Sequence, residues 1–281
     1  MDKVSVIMPC FNDGDYIQES VKSVLDQTYK NIELIIINDG STDANTIEIL
    51  NQISDTRITI INSNRLRPAG ARNLGIEKST GLYILPVDAD DKIDREYIEK
   101  AVNIMKNNDK AGIVYCQAAL FGERSGRWDL PDYSLEHMLV DNIVFVTALF
   151  KKADWERVGG FNTELKYGME DYDFWLSILE LDKEIVQIPE VLFHYRIKPV
   201  SRTTKFNQDS DIVKETYKII YTRHKTLYLK HMDCYAIAMR NALVNHIFDN
   251  RVLQRSIRII KVIDRFPQIR KLVKRMIKFL R

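Results

Sequence analysis

Cysteine is scarce in this 281-residue chain: Cys10, Cys116 and Cys234, odd in number and far apart. That excludes a disulfide-stapled scaffold and reads as reduced core thiols of a cytosolic protein. Long apolar runs are missing too. No stretch nears the ~18 residues that cross a membrane, and the apolar part of MDKVSVIMPCF is too short for a signal peptide. Charge of one sign is also lacking overall. With 41 Lys and Arg against 39 Asp and Glu the net charge is +2, so no global basic field points to nucleic acid. Finally, no glycine-rich phosphate loop is present. NDGSTD and NLGI match neither a P-loop nor a dinucleotide fingerprint. Bound phosphates would need a metal or side chains such as Arg72.

The near-neutral total hides an asymmetry. Residues 251–281 hold eleven Lys or Arg and one acid, Asp264, a net charge of +10 on a body of net −8. Within the body, short β-rich apolar runs at 4–9, 33–39, 57–62, 82–88 and 111–120 read as buried strands. Amphipathic stretches separate them, and STDANT has the hydroxyls and carboxylate of a helix start. This alternation predicts an α/β fold with a mostly parallel sheet covered on both faces. Further on, 142–150 reads as a strand, and KADWERVGGF as a short helix ending at Gly159–Gly160. MEDYDFWLSILELD reads as a helix and KEIVQIPEVLFHYRI as one or two strands. The pattern over 211–281 is helical. A division follows: 1–200 as the α/β domain, 201–250 as a helical extension and 251–281 as a basic amphipathic tail.

Parallel sheets bind ligands beyond the carboxyl ends of their strands. Pro9 to Asn12, Asp39 to Ser41, Asn62 to Asn64 and Asp88 to Asp90 all fall there. The densest acid lies in LPVDADDKID, with Asp88, Asp90, Asp91 and Asp94 inside seven positions. Unit charges 4 Å apart repel by about 4 kcal/mol at an effective dielectric near 20. Either the carboxylates splay into water, with Asp94 capping the next helix, or some hold a cation such as Mg²⁺ or Mn²⁺. Glu170 and Asp171 open a helix after Gly168. They cap it, or one serves as a general base. His194 stands near a strand end, as a structural histidine or a further metal ligand.

Taken together, VSVIMPCFNDGDYIQESVKSVLDQTYKNIELIIINDGSTD, NRLRPAGARNLGI, LPVDADD, GMEDYDFWLSI and VLFHYRI resemble family 2 glycosyltransferases, in that family's order, over about residues 1–200. The resemblance implies a Rossmann-like GT-A domain and inverting transfer from a nucleotide-diphospho-sugar, most simply UDP-linked. It implies that Pro9, Phe11 and Asp39 contact the nucleobase and ribose, and that Asn64 and Arg72 line the pocket with Arg72 near phosphate. Asp88, Ala89 and Asp90 match the D-x-D pattern, with Asp88 toward ribose or sugar and Asp90 on Mn²⁺ or Mg²⁺. His194 follows as a further metal ligand and Asp171 as the base, with Glu170 beside it. Leu66 departs from the glycine of close relatives. RSGRW at 124–128 resembles the Q-x-x-R-W of processive synthases but lies before Asp171. It is read as a decoy, with Trp128 packing or shaping the acceptor site. Rival readings are a sugar nucleotidyltransferase, which would need the absent phosphate loop, and a non-catalytic glycan- or nucleotide-binding module.

In the tail, Leu253, Ile257, Ile260 and Ile263 share one helical face, and Pro267 breaks the segment before a second apolar face. Basic residues fill the other side. This suits a helix lying on anionic lipid, a docked helix, or a homo-oligomer contact. A membrane-edge enzyme fits a polyprenyl-diphosphate-linked glycan acceptor. That implies a peripheral protein on the inner face of a bacterial membrane, in capsule or O-antigen assembly. The segment 198–207 is read as a mobile stretch that closes over donor.

Overall fold

The computed structural model describes residues 2–199, 206 and 208–264, with side chains through 248. The chain divides into two compact units, Met1–Lys230 and His231–Arg281. Most of 200–207 and the basic tail's side chains lie outside the described residues.

The first unit is a nine-stranded mixed sheet between helices. Strands β1 (Val4–Cys10), β2 (Ile32–Asn38), β3 (Ile58–Asn62) and β4 (Tyr83–Pro86) form its parallel half, ordered β3-β2-β1-β4. Helices α1 (Gly14–Leu25), α2 (Ala44–Gln52) and α3 (Arg67–Lys78) connect them. The apolar runs that predicted these strands are the core: Val4, Val6, Ile7, Met8, Leu34, Ile36 and Ile84 are wholly buried. The predicted helix start at STDANT is real, since the Asp43 side chain accepts from the Thr46 amide and caps α2. Cys10 and Cys116 are buried free thiols and Cys234 is half-buried. Burial pushes the Cys10 thiol up to about 12.

The other half of the sheet is mixed. β5 (Lys92–Ile93), α4 (Tyr97–Asn107), β6 (Ala111–Gly122), β7 (Gly126–Trp128), α5 (Leu135–Val140), β8 (Leu149–Lys151), α6 (Lys152–Val158), α7 (Glu170–Leu179) and β9 (Glu184–Ile197) follow in the chain. β8 joins β4 to β6 with antiparallel pairings, β9 runs parallel to β6, and β5 and β7 add antiparallel edges. The strand expected over 142–150 is reduced to its last residues. The Val144 carbonyl accepts from Trp175 Nε1 at 3.0 Å and the Thr147 carbonyl from the Tyr97 hydroxyl at 2.7 Å. Backbone acceptors already committed to side chains are not open to a ladder. The unit ends with α8 (Ser210–Arg223) and α9 (Lys225–Lys230), and the second begins with α10 (Met232–Asp264).

The order β3-β2-β1-β4 reverses direction at β1, because the chain runs outward through β2 and β3 and returns to the other side as β4. Such a reversal opens a crevice at the carboxyl ends of β1 and β4. Behind it, Phe150 packs edge-on against Phe174 and Trp175 at ring separations of 4.9 and 5.9 Å, and Phe161 lies 4.4 Å from Phe174. Phe174→Ala is expected to cost about 3–5 kcal/mol by cavity formation, read as a lower urea midpoint with an unchanged slope.

Candidate active site

Arg72 is the centre of the crevice wall. It lies on α3 and is 1% exposed. Its Nη2 donates to Asp88 Oδ1 at 2.7 Å and its Nη1 to Glu170 Oε1 at 2.8 Å. Burial alone would push the guanidinium down. Asp88 and Glu170 more than offset that, with Asp171 adding to the effect, and its pKa is raised. Both terminal nitrogens are committed to carboxylates, so Arg72 ties the turn after β4 to the start of α7.

That start is conformationally demanding. Gly168 has φ +147° and Met169 φ +67° before α7 begins at Glu170. The reversed backbone directs Glu170 inward, to 1% exposure, and leaves Asp171 half-buried beside it. The Asp171 Oδ1 accepts from the Tyr172 amide at 2.9 Å. Asp171, Glu170, Arg72 and Asp88 thus form one group.

The four aspartates take separate partners: Asp94 is exposed, Asp88 and Asp90 are half-buried and Asp91 is buried. Asp88 takes Arg72. Asp90 Oδ2 meets Lys198 Nζ at 2.6 Å. Asp91, 2% exposed, accepts from the Arg196 amide at 2.8 Å. Asp94 Oδ1 faces His194 Nε2 at 3.2 Å, and its side chain does not cap α4, whose N-cap is Glu96. Burial raises Asp90 and pushes Asp91 well up, with neighbouring carboxylates adding to both. Ala89 is buried between Asp88 and Asp90.

His194, expected as a metal ligand, stands across from Lys92 in the β5–β9 register and is engaged by Asp94. Among the described residues no three His, Cys, Asp or Glu side chains gather to hold an ion. That alone decides little, because Mg²⁺ often uses one or two carboxylates and completes its shell with waters and substrate phosphates. The ammonium decides more. A divalent ion on Asp90 would face Lys198 at a repulsion of about 4 kcal/mol per unit charge at 4 Å and a dielectric near 20. These side chains, as placed, do not fit an ion carried by Asp90 and His194.

At the far end of the crevice, Asp39 is 4% exposed and holds the loop after β3. Its Oδ1 accepts from the Ser63 hydroxyl at 2.8 Å and the Leu66 amide at 2.6 Å, and its Oδ2 from the Arg67 amide at 2.7 Å. Arg65 and Arg67 have positive φ, 59° and 66°, a conformation L-residues seldom adopt. Asn64 is exposed on this loop and Pro9 half-buried at the end of β1. The Arg65 guanidinium lies 3.2 Å from the centre of the Phe11 ring. Trp128 packs against Tyr195 and Phe145, at 4.8 and 6.1 Å.

Sequence reasoning missed Asp13 and Arg196 and included Lys198 only as the first residue of the 198–207 stretch. Asn12, left-handed at φ 57°, turns the chain after β1 and accepts from the Thr42 and Asp43 amides. Asp13 follows, with Oδ1 3.0 Å from Lys198 Nζ. Arg196 donates from Nε to the Asp90 carbonyl, pairs with Glu19 and lies over Tyr16 and Phe121. The local signal was slight: one acid after PCFN, and a lysine beyond FHYRI.

Comparison with known proteins places this geometry. The profile of the family described as Glycosyl transferase family 2 matches residues 5–175. An uncharacterized glycosyltransferase of Haemophilus influenzae is 33% identical over 245 residues, covering 80% of this chain and 74% of that protein. An Escherichia coli protein named UDP-Glc:alpha-D-GlcNAc-diphosphoundecaprenol beta-1,3-glucosyltransferase WfaP is 30% identical over 263 residues, covering 89% of this chain and 98% of its own length. Among solved structures, S. aureus TarS 1-349 in complex with UDP-GlcNAc aligns with a TM-score of 0.62 over 84% of this chain and 79% of that one. At 17% identity that match speaks for the fold, which is GT-A as expected.

Arg72→Met removes the buried guanidinium that donates to Glu170 Oε1 and Asp88 Oδ1. It should destabilise the protein by about 3–5 kcal/mol. Adding Glu170→Met to it should recover much of that loss in urea denaturation, giving a large coupling term in the double-mutant cycle.

Proposed function

Because the chain belongs to glycosyltransferase family 2, we propose that it transfers a single sugar from a nucleotide-diphospho-sugar, UDP-linked, to a hydroxyl of a lipid-linked glycan, with inversion. The observation that carries this is the Arg72 bridge, which brings the D-x-D turn and the Asp171 helix start to one crevice wall. The nucleoside lies across Pro9, Phe11, Asp39 and Asn64, with Asp88 toward ribose or sugar. Asp171 accepts the proton from the acceptor hydroxyl as its oxygen bonds to the anomeric carbon. The bond from that carbon to the diphosphate breaks on the opposite face, and the nucleoside diphosphate leaves with the electron pair. Glu170 acts through Arg72, positioning the wall, and Trp128 with Tyr195 forms an aromatic surface suited to a sugar acceptor. The placed side chains of Asp90 and His194, engaged by Lys198 and Asp94, are a poor fit for Mn²⁺ or Mg²⁺.

The beta linkage in the WfaP name is what inversion of an α-linked donor yields, and its diphosphoundecaprenol supports a lipid-linked acceptor in polysaccharide synthesis. Among the described residues no helix is long and apolar enough to cross a membrane. We assign contact with the anionic inner face of the membrane to the basic tail, 251–281. The missing phosphate loop disfavours a nucleotidyltransferase, and the Arg72-anchored carboxylates disfavour an inert binding module.

A panel of UDP-, GDP- and dTDP-sugars, followed by nucleotide release, should show turnover with a UDP-sugar. Asp171→Asn should lower transfer by about 10²–10⁴-fold while leaving UDP binding intact. Near-normal transfer by that variant would remove Asp171 as the base. Deleting 251–281 should release the protein from anionic vesicles, and unchanged vesicle binding would exclude the tail as the anchor.

A further inference from the structure

The crevice at the β1–β4 reversal already contains a cation. Asp13 follows β1 and Asp90 follows β4, so the two carboxylates flank the point where a ligand enters. Lys198, one residue past β9, places its Nζ 3.0 Å from Asp13 Oδ1 and 2.6 Å from Asp90 Oδ2. It also lies 5.4 Å from the centre of the Tyr16 ring. An ammonium carries three donor hydrogens. Two are committed to these carboxylates and, among the described residues, the third has no acceptor, while the side chain keeps 24% of its surface exposed. The base of this crevice is acidic, with Asp13, Asp88, Asp90 and Asp91 all on the turns after β1 and β4. Arg72 answers Asp88 and Arg196 binds the Asp90–Asp91 turn, so a diphosphate entering between Asp13 and Asp90 would depend on the positive charge that stands between those two.

We propose that Lys198 is that charge: held by Asp13 and Asp90, its ammonium donates to the diphosphate of the donor and stabilises the departing nucleoside diphosphate, in place of a bound divalent cation. This rests on the transferase reading above. The carbon–oxygen bond to the diphosphate breaks, the acceptor oxygen bonds to the same carbon, and the acceptor proton goes to Asp171. Lys198 keeps its protons throughout and acts by hydrogen bonding and charge. Burial pulls its pKa down, but Asp90 and Asp13 more than offset this and leave it raised, so it remains charged across the neutral range. Asp13 and Asp90 are then positioning residues, aiming the ammonium from two sides.

The test is calorimetric titration of the full-length chain with UDP and with uridine, each in EDTA and in Mn²⁺. Wild type should bind UDP in EDTA within about threefold of its affinity in Mn²⁺. Lys198→Gln should lose tenfold or more for UDP in EDTA yet bind uridine as wild type does. Lys198→Arg should keep most of the UDP affinity. A merely structural role for Lys198 would weaken uridine and UDP together. UDP affinity that rises more than tenfold with Mn²⁺ in wild type, or a Lys198→Gln protein that binds UDP normally in EDTA, overturns the proposal and leaves the transferase reading standing. Failure to bind UDP, GDP or dTDP under any condition overturns both.

Discussion

A single buried guanidinium determines whether this crevice has a wall. Arg72 reaches from α3 to Asp88 on one side and Glu170 on the other, residues 16 and 98 positions away along the chain. Charges so buried are costly singly and tolerable only together. The consequence is cooperative: the turn after β4, the third connecting helix and the start of α7 take their places as a unit. Asp171 inherits its location from this unit, because the left-handed Met169 fixes the helix start while Arg72 fixes Glu170.

The aspartate-rich turn shows the same logic at a smaller scale. Its like charges are tolerable because each is answered separately, by a guanidinium, an ammonium, a backbone amide and an imidazole. Three of these partners, His194, Arg196 and Lys198, come from β9 and the residue just beyond it. The long pairing of β9 with β6 therefore does more than close the sheet. It carries a row of nitrogen donors along the acidic rim, and any shift of register would leave carboxylates unpartnered.

What could be read from the sequence was what repeats locally. The apolar runs of β1, β2 and β6 and the cap of α2 announce themselves within a few residues, and so does the clustering of acids at strand ends. The directions of β8 and β9 do not, since a strand's sense depends on where the intervening helices send the chain. The 142–150 run has the apolarity of a strand, but Tyr97 and Trp175 claim its carbonyls from elsewhere in the fold. Partner choice was the least legible layer. Asp90 was singled out for a metal, yet its counter-charge comes from position 198, and Arg72, expected at phosphate, has both terminal nitrogens on carboxylates. Motif reading singled out residues at the crevice but could not rank the bonds they would make.

The contact between Arg65 and Phe11 has its own consequence. A planar cation already covers the aromatic face at the mouth of the crevice, on a loop that Asp39 grips through three donors. Any flat guest that would stack on that ring competes with a tethered occupant. Its observed affinity is scaled by the fraction of time the ring stands uncovered. A guest stacking there would have to displace Arg65 as well as fit the ring.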